Sequence, residues 1–182
     1  MPEKSRRHPS ALYLLCLVEG CERFAASAML SLFAIYLAQQ KRFTDSQAIF
    51  VVGGFLAASY LLSWPSGWVA DRWLGARRTA QLGAVLLTLG YAELWTDTAA
   101  SLWVALALLV VGQGLFRSAM AALVGQLYVA DDVLRDAGFG HFFVAVNLGY
   151  LAGAFWAEWM RARIGWAGVF ALASAVLLIG SG

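Results

Sequence analysis

Three charged side chains stand within five residues of one another in an otherwise apolar stretch, LYLLCLVEGCERFAASAML: Glu19, Glu22 and Arg23. A fourth, Arg117, closes the apolar run LWVALALLVVGQGLF. On a helix, spacings of three and four residues put Glu19, Glu22 and Arg23 on one face. Two carboxylates that close repel each other, which favours proton uptake by one of them near neutral pH. A guanidinium presents a planar fork that fits a carboxylate, whether a protein's own or a solute's. Two readings stay open: a proton and substrate site, or an ion-pair cluster that locks the first helix to the fourth.

The stretches that carry these charges must be placed first. The chain has 182 residues, of which 61% are hydrophobic and 13% charged, and its mean hydropathy is +0.69. A water-soluble domain carries about a quarter charged residues, so the apolar excess is expected to face lipid. A net charge of +2 is too small to point to nucleic acid as a partner. Cys16 and Cys21 lie five apart on one apolar stretch, where a helix directs them to different faces, and no clustered histidine accompanies them as a metal site would require. No Ser/His/Asp set, HExxH or paired catalytic aspartates is present, and His8 and His141 fall at loops, so an intramembrane enzyme has little support. The basic start (Lys4, Arg6, Arg7) and the apolar run from Ala11 to Val18 imitate a signal peptide, but charges would stand just before the cleavage site and the apolar pattern continues to Ala38.

A transmembrane helix takes about 20 mostly apolar residues. Six segments qualify: 11–38, 46–69, 79–96, 101–127, 137–158 and 165–181. The expected connectors are 39–47, with Thr44, Asp45 and Ser46 as candidate N-caps, then 71–78, 96–101, 129–138 and 161–165. None is long enough to be a domain, so the fold class is an all-α membrane protein, a single six-helix bundle over residues 1–182. With the N-terminus in the cytoplasm, seven basic residues (Lys4, Arg6, Arg7, Arg72, Arg77, Arg78, Arg135) lie inside and four (Lys41, Arg42, Arg161, Arg163) outside. That bias predicts a multi-pass protein of the cell's inner membrane with both termini cytoplasmic.

Each unpaired charge at membrane depth costs roughly 2.5–3.5 kcal/mol on insertion scales. Glu19, Glu22, Arg23 and Arg117 are therefore expected to face the bundle interior or a water-filled cavity and to pair there, two carboxylates balancing two guanidiniums. Among weaker signals, Asn147 fits an interhelical hydrogen bond or a substrate contact, and Tyr60 fits packing or lining equally. Glu93 and Glu158 lie near helix ends and are expected to reach water. Gly149 and Gly153, spaced as GxxxG, and Gly112 and Gly114 read as close helix contacts. The eight tryptophans (Trp64, Trp68, Trp73, Trp95, Trp103, Trp156, Trp159, Trp166) gather near segment ends as an interfacial belt.

Five stretches, in order, resemble one family, the proton-dependent oligopeptide transporters (POT) of the major facilitator superfamily. Glu19-Gly-Cys-Glu22-Arg23-Phe24 resembles the family's ExxERF motif. Gly67-Trp-Val-Ala-Asp71-Arg72-Trp-Leu-Gly75-Ala-Arg77-Arg78-Thr79 resembles its GGxxADRxxGxRRT loop. Gly114-Leu-Phe-Arg117 followed by Leu123-Val-Gly-Gln-Leu-Tyr128 is similar to its fourth-helix GxGxxKPNxxxLVGxLY stretch. Arg135-Asp136-Ala-Gly138-Phe139 and Phe142-Phe143-Val-Ala-Val-Asn147-Leu-Gly149 are similar to its RDAGF and FYxxINxG motifs.

The resemblance implies proton-coupled import of di- and tripeptides, with protons as coupling ion and no other cofactor. By position, Glu19, Glu22 and Arg23 would link proton movement to substrate binding. Arg23, Tyr60, Arg117 and Asn147 would contact the peptide, Arg117 at its carboxylate, and Asp71, Arg72, Arg77 and Arg78 would gate the cytoplasmic side. The sequence departs from the family where KPN becomes Arg117-Ser118-Ala119, and where tyrosines and an arginine after ERF become Ala26, Ser27 and Leu30. The family has two six-helix halves, each a three-plus-three inverted repeat, and the resemblance covers the first half. A half-transporter is thus expected, acting as a homodimer or with a second half. The alternatives are a structural membrane module that does not translocate, and a truncated fragment.

Overall fold

In a computed structural model of the chain, residues 8–96, 99–129 and 132–181 are described. The described residues form five α-helices: α1 (Ser10–Gln39), α2 (Asp45–Val69), α3 (Ala76–Thr96), α4 (Ala99–Gln126) and α5 (Leu134–Ser181). A π-helical turn, Ala70–Leu74, extends α2. Among the described residues, four stretches are long and apolar enough to cross a membrane: Ser10–Gln39, Asp45–Leu74, Ser101–Gln126 and Leu134–Leu177.

Local chemistry sets the boundaries. Thr44 caps α2 with a reciprocal capping box, its hydroxyl accepting from the Gln47 amide while the Gln47 side chain accepts from the Thr44 amide. Asp132 does similar work before α5, its carboxylate accepting from the Leu134 amide at 2.9 Å. Within α2 the hydroxyls of Ser59, Ser63 and Ser66 donate to carbonyls one turn back, which satisfies them inside an apolar helix. Segment 71–78, expected as a connector, is helical to Leu74 and again from Ala76. The break is Gly75 alone, whose φ of 75° favours glycine and whose amide closes the π turn on the Ala70 carbonyl. Likewise 161–165 stays helical to Ile164, helped by an Arg161–Glu158 ion pair one turn apart, and only Gly165 (φ 70°, ψ −177°) leaves the helix.

The chain turns back at Gly165. Trp166 and Phe170 pack on Tyr36 near the end of α1, at 5.4 and 5.1 Å between ring centroids. Ten residues on, Val176 lines the same apolar groove as Cys16, Gly20 and Gly149. The arm of α5 before Gly165 lies along α1, and the arm after it reaches α3, where the Ser174 hydroxyl donates to the Thr88 carbonyl.

Glycines bring α1 and α5 together. A Cβ on Gly149 would collide with the Gly20 carbonyl, and one on Gly153 with the Phe24 carbonyl. The GxxxG pair is thus a packing device. The Ser27 hydroxyl donates to the Tyr150 carbonyl at 2.8 Å and fixes the register of this contact. The main core joins Met29, Phe33 and Leu37 of α1 to Leu87 and Tyr91 of α3 and Leu109 and Phe116 of α4. Outward faces stay apolar: Phe50 is 81% exposed and Trp64 88%, a surface suited to lipid rather than water. Seven of the eight belt tryptophans are exposed and Trp166 is half-buried.

Candidate functional site

The charged segment of α1 is buried on the packed side of the helix: Glu19 is 3% exposed, Glu22 0% and Arg23 3%. Helical spacing lets one guanidinium reach both carboxylates. Arg23 Nε donates to Glu19 Oε1 at 2.8 Å and lies 2.7 Å from Glu22 Oε2. From α5, the Tyr150 hydroxyl accepts from Arg23 Nη1 at 3.0 Å, and the guanidinium carbon stands 5.6 Å from the tyrosine ring centroid. This pairing differs from the expected balance of two carboxylates against two guanidiniums. Both carboxylates converge on Arg23, because the intrahelical contact needs no help from a neighbouring helix.

Arg117, half-buried on α4, is held by an aromatic ring. Its guanidinium carbon lies 4.6 Å from the ring centroid of Tyr60 on α2, within the range of a cation–π contact. Among the described residues it has no ion pair. A guanidinium's planar fork matches a carboxylate in geometry.

Glu19, Arg23, Tyr60, Arg117 and Tyr150 line one cavity of about 250 Å³, closed by Ala121, Phe139, Phe142, Phe143 and Val146. Five charged or phenolic groups from α1, α2, α4 and α5 thus meet on apolar walls, the usual composition of a small-molecule site. Glu22 does not line that cavity; it is fully buried against Arg23.

One residue expected to contact the solute does not line this cavity. Asn147 is exposed beside the cavity, its amide donating to the Phe143 carbonyl at 2.7 Å. The cavity face of α5 runs Phe139, Phe142, Phe143, Val146, Tyr150, and Asn147, one residue past Val146, is turned away by about 100°. Asp71, Arg72, Arg77 and Arg78 are exposed at the end of α2 and the start of α3, away from the cavity and with no ion pair among the described residues. Tyr150 is the group the sequence reading passed over. Its signal was the 139–143–146–150 spacing, which needs only helical periodicity to be seen.

The family model of the Major Facilitator Superfamily matches residues 15–181. The chain belongs to that superfamily. Within it, the proteins it resembles are dipeptide and tripeptide permeases and POT family transporters. It is 33% identical over 175 residues to dipeptide and tripeptide permease A of Salmonella typhi, which covers 95% of this chain and 35% of that protein. The permease A of Escherichia coli K12 is 32% identical over the same shares. A POT family transporter solved with 5-aminolevulinic acid superposes with a TM-score of 0.91 at 29% identity, over 96% of this chain and 37% of that one. A bacterial homologue of the human drug peptide transporters PepT1 and PepT2 superposes at 0.87 with 31% identity, over 94% and 40%. The chain spans about a third of the length of the curated relatives it matches. These relatives are membrane transporters, not enzymes, and the chain is a multi-pass membrane protein of their kind.

Proposed function

We propose that this chain forms one wall of a proton-coupled pathway for di- and tripeptides or similar small solutes in the inner membrane. The observation that carries the reading is the shared cavity, in which a buried carboxylate–guanidinium cluster and a second guanidinium, with no ion pair among the described residues, meet on apolar walls. Glu19 and Glu22 carry the proton, and Arg23 couples their charge to the cavity. Arg117, laid flat on Tyr60, takes the solute's carboxylate. Asn147 and the exposed face beside the cavity meet the opposite wall, supplied by a second copy or a second transporter half. Asp71, Arg72, Arg77 and Arg78 close the pathway on the cytoplasmic side, where their exposure leaves them open to partners.

Six spans fit this reading better than five elements. At 1.5 Å per residue, the 48 residues of α5 make roughly 70 Å of helix, more than twice the hydrocarbon thickness of about 30 Å. The reversal at Gly165 divides it into two crossings, and both termini then lie on the cytoplasmic side, as the basic residues favour.

The test is uptake of a labelled dipeptide into proteoliposomes under an inward proton gradient. Gradient-driven accumulation that Glu22→Gln and Arg117→Ala abolish supports the reading. A second reading, a structural module, is favoured by the closure of Arg23 on its own helix's carboxylates. It predicts that the same substitutions alter stability or assembly with no flux to lose.

A further inference from the structure

Two imidazoles meet at the end of the bundle where α1 and α5 begin and α4 finishes. His8 comes from the residues just ahead of α1, and His141 stands near the start of α5, in helix rather than loop. Their ring centroids lie 4.9 Å apart, with the planes at 67°. His8 is half-buried and His141 exposed, so water reaches the pair. Neither histidine lines the charged cavity.

Hydrogen bonding decides which ring nitrogens are left over. His141 Nδ1 donates to the Ala137 carbonyl at 2.8 Å. A carbonyl only accepts, so Nδ1 carries the proton and Nε2 offers a lone pair when the ring is neutral. His8 Nδ1 lies 2.9 Å from the Tyr128 hydroxyl, whose oxygen is able to accept from it. That phenol is itself held in place. Tyr128 is 8% exposed and packs on Gly138, where a Cβ would collide with the hydroxyl. Both bonds use Nδ1 and leave Nε2 on each ring.

Histidines that ligate a metal have this arrangement: the second ring N–H goes to an oxygen that fixes tautomer and orientation. Two imidazoles on one tetrahedral ion, at metal–nitrogen distances of about 2.0–2.1 Å, put their centroids about 5 Å apart. The observed separation matches. Neutral imidazole suits zinc, copper or nickel, whereas calcium and magnesium take oxygen ligands.

We propose that His8 and His141 form a binding site for one zinc-class divalent ion, ligated through the two Nε2 atoms with water in the remaining positions. Tyr128 is the positioning residue, accepting from His8 Nδ1 and aiming its ring at the ion. A closed structural zinc site takes four protein ligands, so a site with two exchanges its ion with solution. The bound ion clips the segment ahead of α1 to the end of the bundle where α4 meets α5. It stabilises the folded chain, since the unfolded chain holds the two histidines apart. The inference is independent of the transport reading.

The test is calorimetric zinc titration of the tag-free, metal-stripped chain in lipid nanodiscs, with melting temperature followed alongside. A Cys16→Ala/Cys21→Ala background removes the two free thiols as competing ligands. One zinc per chain is expected. His8→Ala and His141→Ala should each weaken binding at least tenfold, and Tyr128→Phe about tenfold, as loss of an outer-shell partner does. Zinc should raise the melting temperature of the parent and of neither histidine variant. Copper(II) used as a probe should show two imidazoles in pulsed EPR of the parent and one in each histidine variant. Parent-like zinc affinity in either histidine variant, at a parent-like metal-free melting temperature, overturns the site. So does a single imidazole in the parent spectrum, which would leave the two rings as a plain edge-to-face contact. Half a zinc per chain would place the ion between two copies and overturn the site within one. Parent-like affinity in Tyr128→Phe overturns the positioning role.

Discussion

Arg23 and Arg117 line the same small cavity, yet the molecule holds them in opposite ways. Arg23 is 3% exposed, fixed to two carboxylates of its own helix and to Tyr150. Arg117 is half-buried and rests on the Tyr60 ring. The contrast follows from where each pairing comes from. Helical spacing of three and four residues delivers counter-charges to Arg23 before any other helix packs, whereas Arg117 has no acidic residue within a turn on α4 and must borrow a ring from α2. One guanidinium is tied to carboxylates of its own helix, and the other is held by a ring from a neighbouring one.

Arg23→Leu is expected to have the largest effect. Removing one partner of a buried ion pair costs about 3–5 kcal/mol because the remaining charges stay behind, so thermal unfolding in detergent should drop far. Glu19→Gln/Glu22→Gln in the same chain should restore much of the melting temperature at neutral pH. Tyr150→Phe comes next. It deprives Arg23 Nη1 of its acceptor and should cost about 1.5–3 kcal/mol, the range for a hydrogen bond to a charged group, read in the same melts.

Arg117→Ala should cost only about 0.5–1 kcal/mol, the worth of one cation–π contact, while abolishing dipeptide binding measured by calorimetry. A large loss of stability instead would make Arg117 a structural residue and erase the contrast. Smallest of all, Asp71→Asn at the exposed turn should stay within about 0.5 kcal/mol of the parent. Its effect is expected in transport rate, on the side of the molecule the cavity does not reach.

Much of this was legible in the sequence because the membrane makes charge expensive. Glu19, Glu22, Arg23 and Arg117 stood out for that reason alone, and GxxxG announced a close contact that Gly149 and Gly153 make with the Gly20 and Phe24 carbonyls. Partner choice between helices was less legible. Tyr150 reaches Arg23 only through the register that those glycines and Ser27 impose, and Asn147, one residue off the cavity face, shows how little rotation separates lining from exposure. The helix through 161–164 was hidden because a run of arginines near a glycine reads as a loop, although Arg161 supports the helix by pairing with Glu158.

The proposed coupling of proton movement to a peptide runs through Glu22 and Arg117. Its most direct test is uptake of a labelled dipeptide into proteoliposomes holding the protein in its native assembly, with and without an inward proton gradient. The account predicts accumulation that follows the gradient, disappears in Arg117→Ala, and becomes insensitive to the gradient in Glu22→Gln. Uptake equal in all three proteins, or absent at every pH from an assembly verified by mass, would contradict it.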